Sequence, residues 1–154
     1  AMSIQANGGA VDKYVGDGLV ATFGLPQPLP APQRSALEAE QDLLLRVDRL
    51  NVELAAEGIE AIRIGIGIHS GEVLAGHVGS GKRREFSVIG RAVGIAGQLE
   101  AMTKEFPHPV ICSTEVAAAV GFAGGMVDLG TPRADLPALW GWTPPLTAAR
   151  GDGK

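Results

Sequence analysis

Ile62-Arg63-Ile64-Gly65-Ile66-Gly67-Ile68-His69-Ser70-Gly71-Glu72-Val73 is the stretch whose reading decides the fold. Isoleucine recurs at every second position from 62 to 68, with Arg63, Gly65 and Gly67 between, and a period of two belongs to a strand. A strand is expected over Ile62–Ile68. Downstream, Glu72–Val78 and Glu85–Ile89 straddle the polar run 79–84, which reads as a hairpin with its basic tip in solvent. Upstream, residues 33–57 change to helical spacing, with Leu43, Val47, Leu50 and Leu54 repeating at four, three and four, and Gly58 placed to stop the helix. That stripe is expected to face the core.

Farther toward the N-terminus, Ser3–Asn7 reads as the last turns of a helix closed by Gly8-Gly9. Ala10–Phe23 reads as a hairpin about Gly16-Asp17-Gly18, because Asp-Gly favours turns that match strand twist. Leu25–Pro32 holds four prolines and is neither regular helix nor central strand. On the other side, Ile95, Leu99, Met102 and Phe106 predict a helix over Ala92–Phe106, ended by Pro107. A strand at Val110–Cys112, a helix at Thr114–Val120 capped by Ser113, and closing strands at Met126–Leu129 and Leu139–Trp142 complete the chain. Strands interleaved with helices and hairpins give a mixed α/β sheet.

A length of 154 residues suits one domain, expected over 2–146 with a single core, with Thr147–Lys154 as a frayed tail. Ala1 stands ahead of Met2 like a cloning scar and is left out of the structural reading. The net charge of −4 is spread rather than blocked, so a nucleic-acid partner is not expected. Cys112 is the single cysteine, which excludes an internal disulfide and a cysteine-based zinc site; within Pro109-Val110-Ile111-Cys112 it reads as a small buried hydrophobe. No apolar run has the length of a membrane span and no leader opens the chain, so no membrane partner and a cytoplasmic location are expected.

Two motifs nearly fit. Gly76–Lys82 has the spacing of a phosphate-binding loop, but Arg83 stands where a magnesium-binding Ser or Thr is required, and a strand follows instead of a helix N-terminus. Gly65-Ile66-Gly67 opens like a dinucleotide fingerprint, yet its third glycine, Gly71, comes one position late. His69, His77 and His108 show no ligand pairing on a helix.

Lys13-Tyr14-Val15-Gly16-Asp17-Gly18, Ile64 to Val73, Val88-Ile89-Gly90 and Leu99-Glu100, in this order and spacing, resemble the class III adenylate/guanylate cyclase catalytic domains. The resemblance covers nearly all of residues 8–120, and Val127-Asp128-Leu129-Gly130 is similar to a late strand of that family. It implies an α/β fold, an α+β sandwich of ferredoxin-like βαββαβ type, here lacking the first strand and first helix. It also implies head-to-tail pairing of two domains around a shared site. There, two aspartates of one subunit hold two Mg2+ or Mn2+ ions that activate the ribose hydroxyl and neutralise the triphosphate. The partner supplies a lysine and an aspartate that read adenine, and an asparagine and an arginine that stabilise the transition state. The family reaction, ATP to cyclic AMP and pyrophosphate, is that of a phosphorus-oxygen lyase.

Carried over, the second metal aspartate matches Asp17 and the adenine-reading lysine matches Lys13. The first metal aspartate lies in the family's opening strand, and no counterpart is found in this sequence. The adenine-reading aspartate has become Arg91, the asparagine Gly94 and the arginine Gln98. Offsets of three and four place these three on one helical stripe, away from Ile95, Leu99, Met102 and Phe106. The scaffold face is kept and the chemical face replaced. The expectation is a catalytically inactive or severely impaired cyclase homologue serving as a dimerising or regulatory module, with ATP or a related nucleotide bound weakly at most. The alternative is a weak cyclase, or one using another nucleotide through groups such as Arg91 or Lys82. A sheet without its first strand exposes an edge or an apolar groove that invites another chain, so a homodimer or a pair with another cyclase domain is expected.

Overall fold

A computed structural model describes residues 2–81 and 85–145. In chain order the elements are α1 (Met2–Ala6), β1 (Ala10–Val15), β2 (Gly18–Thr22), α2 (Pro32–Ala56), β3 (Ile66–Ile68), β4 (Leu74–Val78), β5 (Glu85–Ile89), α3 (Arg91–Met102), β6 (Val110–Ser113), α4 (Thr114–Ala119), β7 (Val127–Gly130) and β8 (Leu139–Trp142). The last of these spans its expected limits. A four-stranded sheet runs β3-β6-β8-β7, and β1-β2 and β4-β5 form two separate hairpins. β3 pairs parallel with β6; the other pairings of the sheet are antiparallel.

Alternation along β3 explains the layering. Ile64, Ile66 and Ile68 pack on a cluster containing Leu37 and Leu44 of α2, Val116 and Ala117 of α4, and Val110, Cys112 and Trp142 of the sheet. The intervening Gly65 and Gly67 face α3: a Cβ on Gly67 would run into the Ala96 carbonyl oxygen and the Glu100 amide. Only glycine lets helix and strand approach this closely. On that side Leu99 and Met102 pack with Ile111, Leu136 and Leu139. The sheet therefore lies between two helical layers, and the single core expected from the sequence is two clusters, one on each face. Burial of a side chain such as the fully buried Leu99 contributes about 1.5–3 kcal/mol.

Several element boundaries differ from expectation, each with a local reason. Pairing in β3 is confined to Ile66–Ile68, because β6 offers only Val110–Cys112 opposite it; Ile62 is exposed and outside any ladder. The expected pairs of β4 begin at Leu74 rather than Glu72. α3 ends at Met102 rather than Phe106, where the Thr103 hydroxyl donates to the Glu100 carbonyl and competes with the helical bond. In α2 the buried residues are Ala36, Leu37, Ala39, Glu40 and Leu44; the stripe from Leu43 to Leu54 is only partly covered, and Leu50 is exposed. Ser113 stands at the N-cap of α4 without capping it, since its hydroxyl is engaged with His69. β7 runs one residue later than expected. The polar hairpin tip falls partly on 82–84, and the C-terminal tail wholly beyond 145, outside the described residues.

Between β2 and β3 lies a cleft of about 1640 Å³, with α2 and α3 also contributing to its lining. No helix among the described residues is long and apolar enough to cross a membrane.

Candidate functional site

The Asp17 turn forms for a reason different from the expected Asp-Gly preference. Val15 pairs with Gly18, so the two loop residues are Gly16 and Asp17, and it is Gly16 that takes a positive φ, +60°. Glycine at the first central position is the requirement of a type II′ hairpin turn. Asp17 is exposed at this tip and borders the cleft. Among the described residues no three His, Cys, Asp or Glu side chains gather to hold a metal ion. Asp17 alone does not fit a pair of Mg2+ or Mn2+ ions, whose mutual repulsion several carboxylates must offset.

Lys13 is held by its own scaffold. The β1-β2 register shifts between Val11 and Lys13, a bulge at Asp12 that re-aims the neighbouring side chains toward β5. Asp12 Oδ1 accepts the Val88 N–H at 3.1 Å, and Lys13 Nζ donates to the Val88 carbonyl at 3.2 Å. Lys13 Nζ also lies 3.2 Å from Asp12 Oδ2, whose side chain is 1% exposed. That second oxygen makes a charge contact without hydrogen-bond geometry. The pair ties the first hairpin to the second. Asp12 carried no signal in the sequence beyond its place beside Lys13.

Arg91, Gly94 and Gln98 are all exposed on α3, while Leu99 and Met102 on its other side are buried. The stripe expected from helical spacing is therefore one solvent-facing surface. A Cβ at Gly94 or Gly97 would meet nothing within 4 Å, so neither glycine is required by packing. None of the three stripe residues borders the cleft that Asp17 borders. The structure does not bring the two groups together within one chain.

Two polar features were missed from the sequence. His69 Nδ1 lies 2.7 Å from Ser113 Oγ, joining the ends of the parallel strands β3 and β6; burial holds the imidazole below its ordinary pKa, with Glu115 opposing. Glu40 is 9% exposed and borders the cleft. Burial pushes its carboxyl up to about 7. The signal was available, since Leu37, Glu40 and Leu44 share one helix face.

The fold and the hairpin place this chain in the class of mixed α/β nucleotide-cyclase domains. The family model for the adenylate and guanylate cyclase catalytic domain matches residues 6–121. An adenylate cyclase of Anabaena cylindrica is 32% identical over 114 residues, 74% of this chain and 22% of that protein. The uncharacterized protein Rv1318c of Mycobacterium tuberculosis is 34% identical over 116 residues, 75% of this chain and 20% of that protein. Among solved structures, the guanylyl cyclase Cya2 superposes with a TM-score of 0.74 at 25% identity, covering 91% of this chain and 72% of that one. The adenylyl cyclase CyaB from P. aeruginosa gives 0.72 at 22% identity, covering 94% and 76%. The chain belongs to the adenylate and guanylate cyclase catalytic domain family. It spans about a fifth of the length of these curated relatives.

Proposed function

We propose that this chain is a cyclase-family domain without useful cyclase turnover, acting as a dimerising or regulatory module. The observation that carries the reading is the exposed stripe of α3, where Arg91, Gly94 and Gln98 stand. Each removes one part of the chemistry. Arg91 offers a cation where the exocyclic amine of adenine needs an acceptor. Gly94 has no side chain to orient a reacting group. Gln98 is neutral where charge develops on the α-phosphate, and losing such a donor costs about 3 kcal/mol, or two orders of magnitude in rate.

Pairing does not restore the missing groups. In a homodimer both pockets receive this stripe. Beside an intact cyclase domain, the pocket furnished with the partner's metals still receives Gly94 and Gln98 from this chain, and the other pocket holds Asp17, around which no three His, Cys, Asp or Glu side chains gather among the described residues. ATP or a related nucleotide, with Mg2+ or Mn2+, binds weakly at most. The exposed Tyr14, Val15, Leu74, Val78 and Ile89 support self-association or pairing with another cyclase domain.

The test is incubation with ATP or GTP and Mn2+, with mass-spectrometric detection of cyclic product. No product above the protein-free background is expected, and turnover abolished by Asp17→Ala would favour the weak-cyclase alternative. Light scattering is expected to give a dimer or larger species; a compact monomer at low concentration would remove the dimerising role.

A further inference from the structure

Phe122 is an aromatic side chain left half in solvent by a backbone that holds it in place. It follows α4, where the Gly121 N–H donates to the Ala118 carbonyl at 3.0 Å and the Phe122 N–H to the Ala117 carbonyl at 2.7 Å, the paired bonds of a Schellman ending. The Trp142 indole fixes the same loop by donating to the Gly124 carbonyl at 3.1 Å. Phe122 itself has a positive φ, +52°, and is 45% exposed. That conformation is unfavourable for an aromatic residue, and the partial burial does little to offset it; such strain gathers at functional positions. The ring meets Trp140, with centroids 4.8 Å apart and planes at 53°, an open notch rather than a closed stack. Trp140 is fixed in turn, since its Nε1 donates to Thr114 Oγ1 at 3.2 Å and that hydroxyl donates to the Ala138 carbonyl at 3.2 Å. Directly across from Trp140, on the edge strand β7, stands the exposed Asp128. Opposed residues turn their side chains to one face, with Cβ atoms about 4.5–5.5 Å apart. Asp128 Oδ1 accepts the Gly130 N–H at 2.8 Å, which holds the carboxylate in place. Among the described residues no ion pair engages Asp128 and no cation stands over either ring; Arg34 is directed at the Val120 carbonyl, 3.3 Å away.

We propose that Phe122, Trp140 and Asp128 form a binding site for an arginine side chain of another polypeptide. Aromatic faces carry negative potential and attract a cation lying within about 6 Å of the ring centroid, and a carboxylate beside them selects the same charge. A guanidinium meets both demands together, because its plane stacks on a ring while its N–H fork reaches the carboxylate oxygens. An ammonium is a more strongly hydrated point charge and meets them less well. Two walls and an open side suit a side chain carried in on a partner's surface, whereas free small ligands draw their affinity from enclosure. The site is separate from the stripe of Arg91, Gly94 and Gln98. Trp140 packs on the cluster of α2 and α4, while Leu99 of α3 packs on the opposite face of the sheet.

The probe is the blocked tripeptide acetyl-Gly-Arg-Gly-amide, titrated into the full chain while the two indole N–H resonances are followed by NMR. The Trp140 resonance is expected to move saturably, with a dissociation constant on the order of millimolar, while that of the buried Trp142 stays in place. Replacing the arginine by neutral, isosteric citrulline should weaken binding at least about tenfold, and replacing it by lysine about threefold. Asp128→Asn and Phe122→Leu should each weaken it about tenfold. Phe122→Gly separates binding from packing. Glycine relieves the positive φ as the ring contact is lost, so the folding equilibrium should stay within about threefold of the parent while arginine binding falls about tenfold. The proposal is overturned by absence of binding, by equal affinity for the citrulline peptide, or by a Phe122→Gly chain that loses stability yet binds as the parent does. It is overturned too if the Trp140 resonance moves with rising protein concentration alone, which would assign the notch to a second copy.

Discussion

Replacing Gly67 by alanine sets a methyl group against the backbone of α3, and replacing Gly94 by alanine sets one in open solvent; the same chemical change is predicted to act with opposite sign. At Gly67 the obstructing atoms are the Ala96 carbonyl oxygen and the Glu100 amide, which cannot rotate aside as a side chain would. Relief requires α3 to move away from β3, loosening the contacts of Leu99 and Met102. Overpacking of this kind costs about 1–3 kcal/mol, and a backbone obstruction belongs at the upper end. At Gly94, inside a helix of 12 residues with nothing within 4 Å, alanine gains about 1 kcal/mol of helix propensity. The two variants should thus differ by roughly 3–4 kcal/mol, more than two orders of magnitude in the folding equilibrium. Urea denaturation with unchanged m-values measures both. A Gly67→Ala protein as stable as the parent would refute the close packing of β3 on α3, and destabilisation by Gly94→Ala would refute the solvent exposure of the stripe.

Glu40 makes stability depend on pH with a definite sign. Its carboxyl is raised from 4.5 to about 7, so below 4.5 both states hold the proton. Between 4.5 and 7 the unfolded chain ionises first and stability falls as pH rises, by about 3 kcal/mol in all; Glu40→Gln should flatten that slope in pH-dependent denaturation. Cys112, fully buried with its thiol pushed up to about 12, should react with a disulfide reagent at pH 8 on the order of a hundredfold more slowly than the unfolded chain. Asp12→Ala strands the N–H of the fully buried Val88 and should cost about 1–3 kcal/mol by denaturation. Lys13→Ala takes the cation from the buried Asp12 carboxylate and the donor from the Val88 carbonyl, and should also cost about 1–3 kcal/mol although the lysine itself is 37% exposed.

Local pattern made most elements legible and tertiary competition hid the rest. The first hairpin, the helix after the proline run and the strand at Leu139–Trp142 were readable because turn glycines, helical spacing and short apolar runs coincide there with what the fold needs. The isoleucine alternation named β3 correctly but overstated its length, since a ladder reaches only as far as its partner. The heptad-like leucines of α2 misplaced its buried face, because the helix meets α1 and the sheet along its first half. Asp17 and the α3 stripe were legible as positions in a family pattern, whereas the tie from Asp12 and Lys13 to Val88 was not. It joins residues 75 and 76 apart and depends on a bulge that no spacing rule announces.

The replacement of the catalytic face is tested most directly by turnover with the protein in excess over ATP or GTP, in Mn2+, quenched over hours and read by mass spectrometry. No cyclic AMP or cyclic GMP is expected beyond that formed without protein. Cyclic product that accumulates with the parent chain and disappears in Asp17→Ala would contradict it.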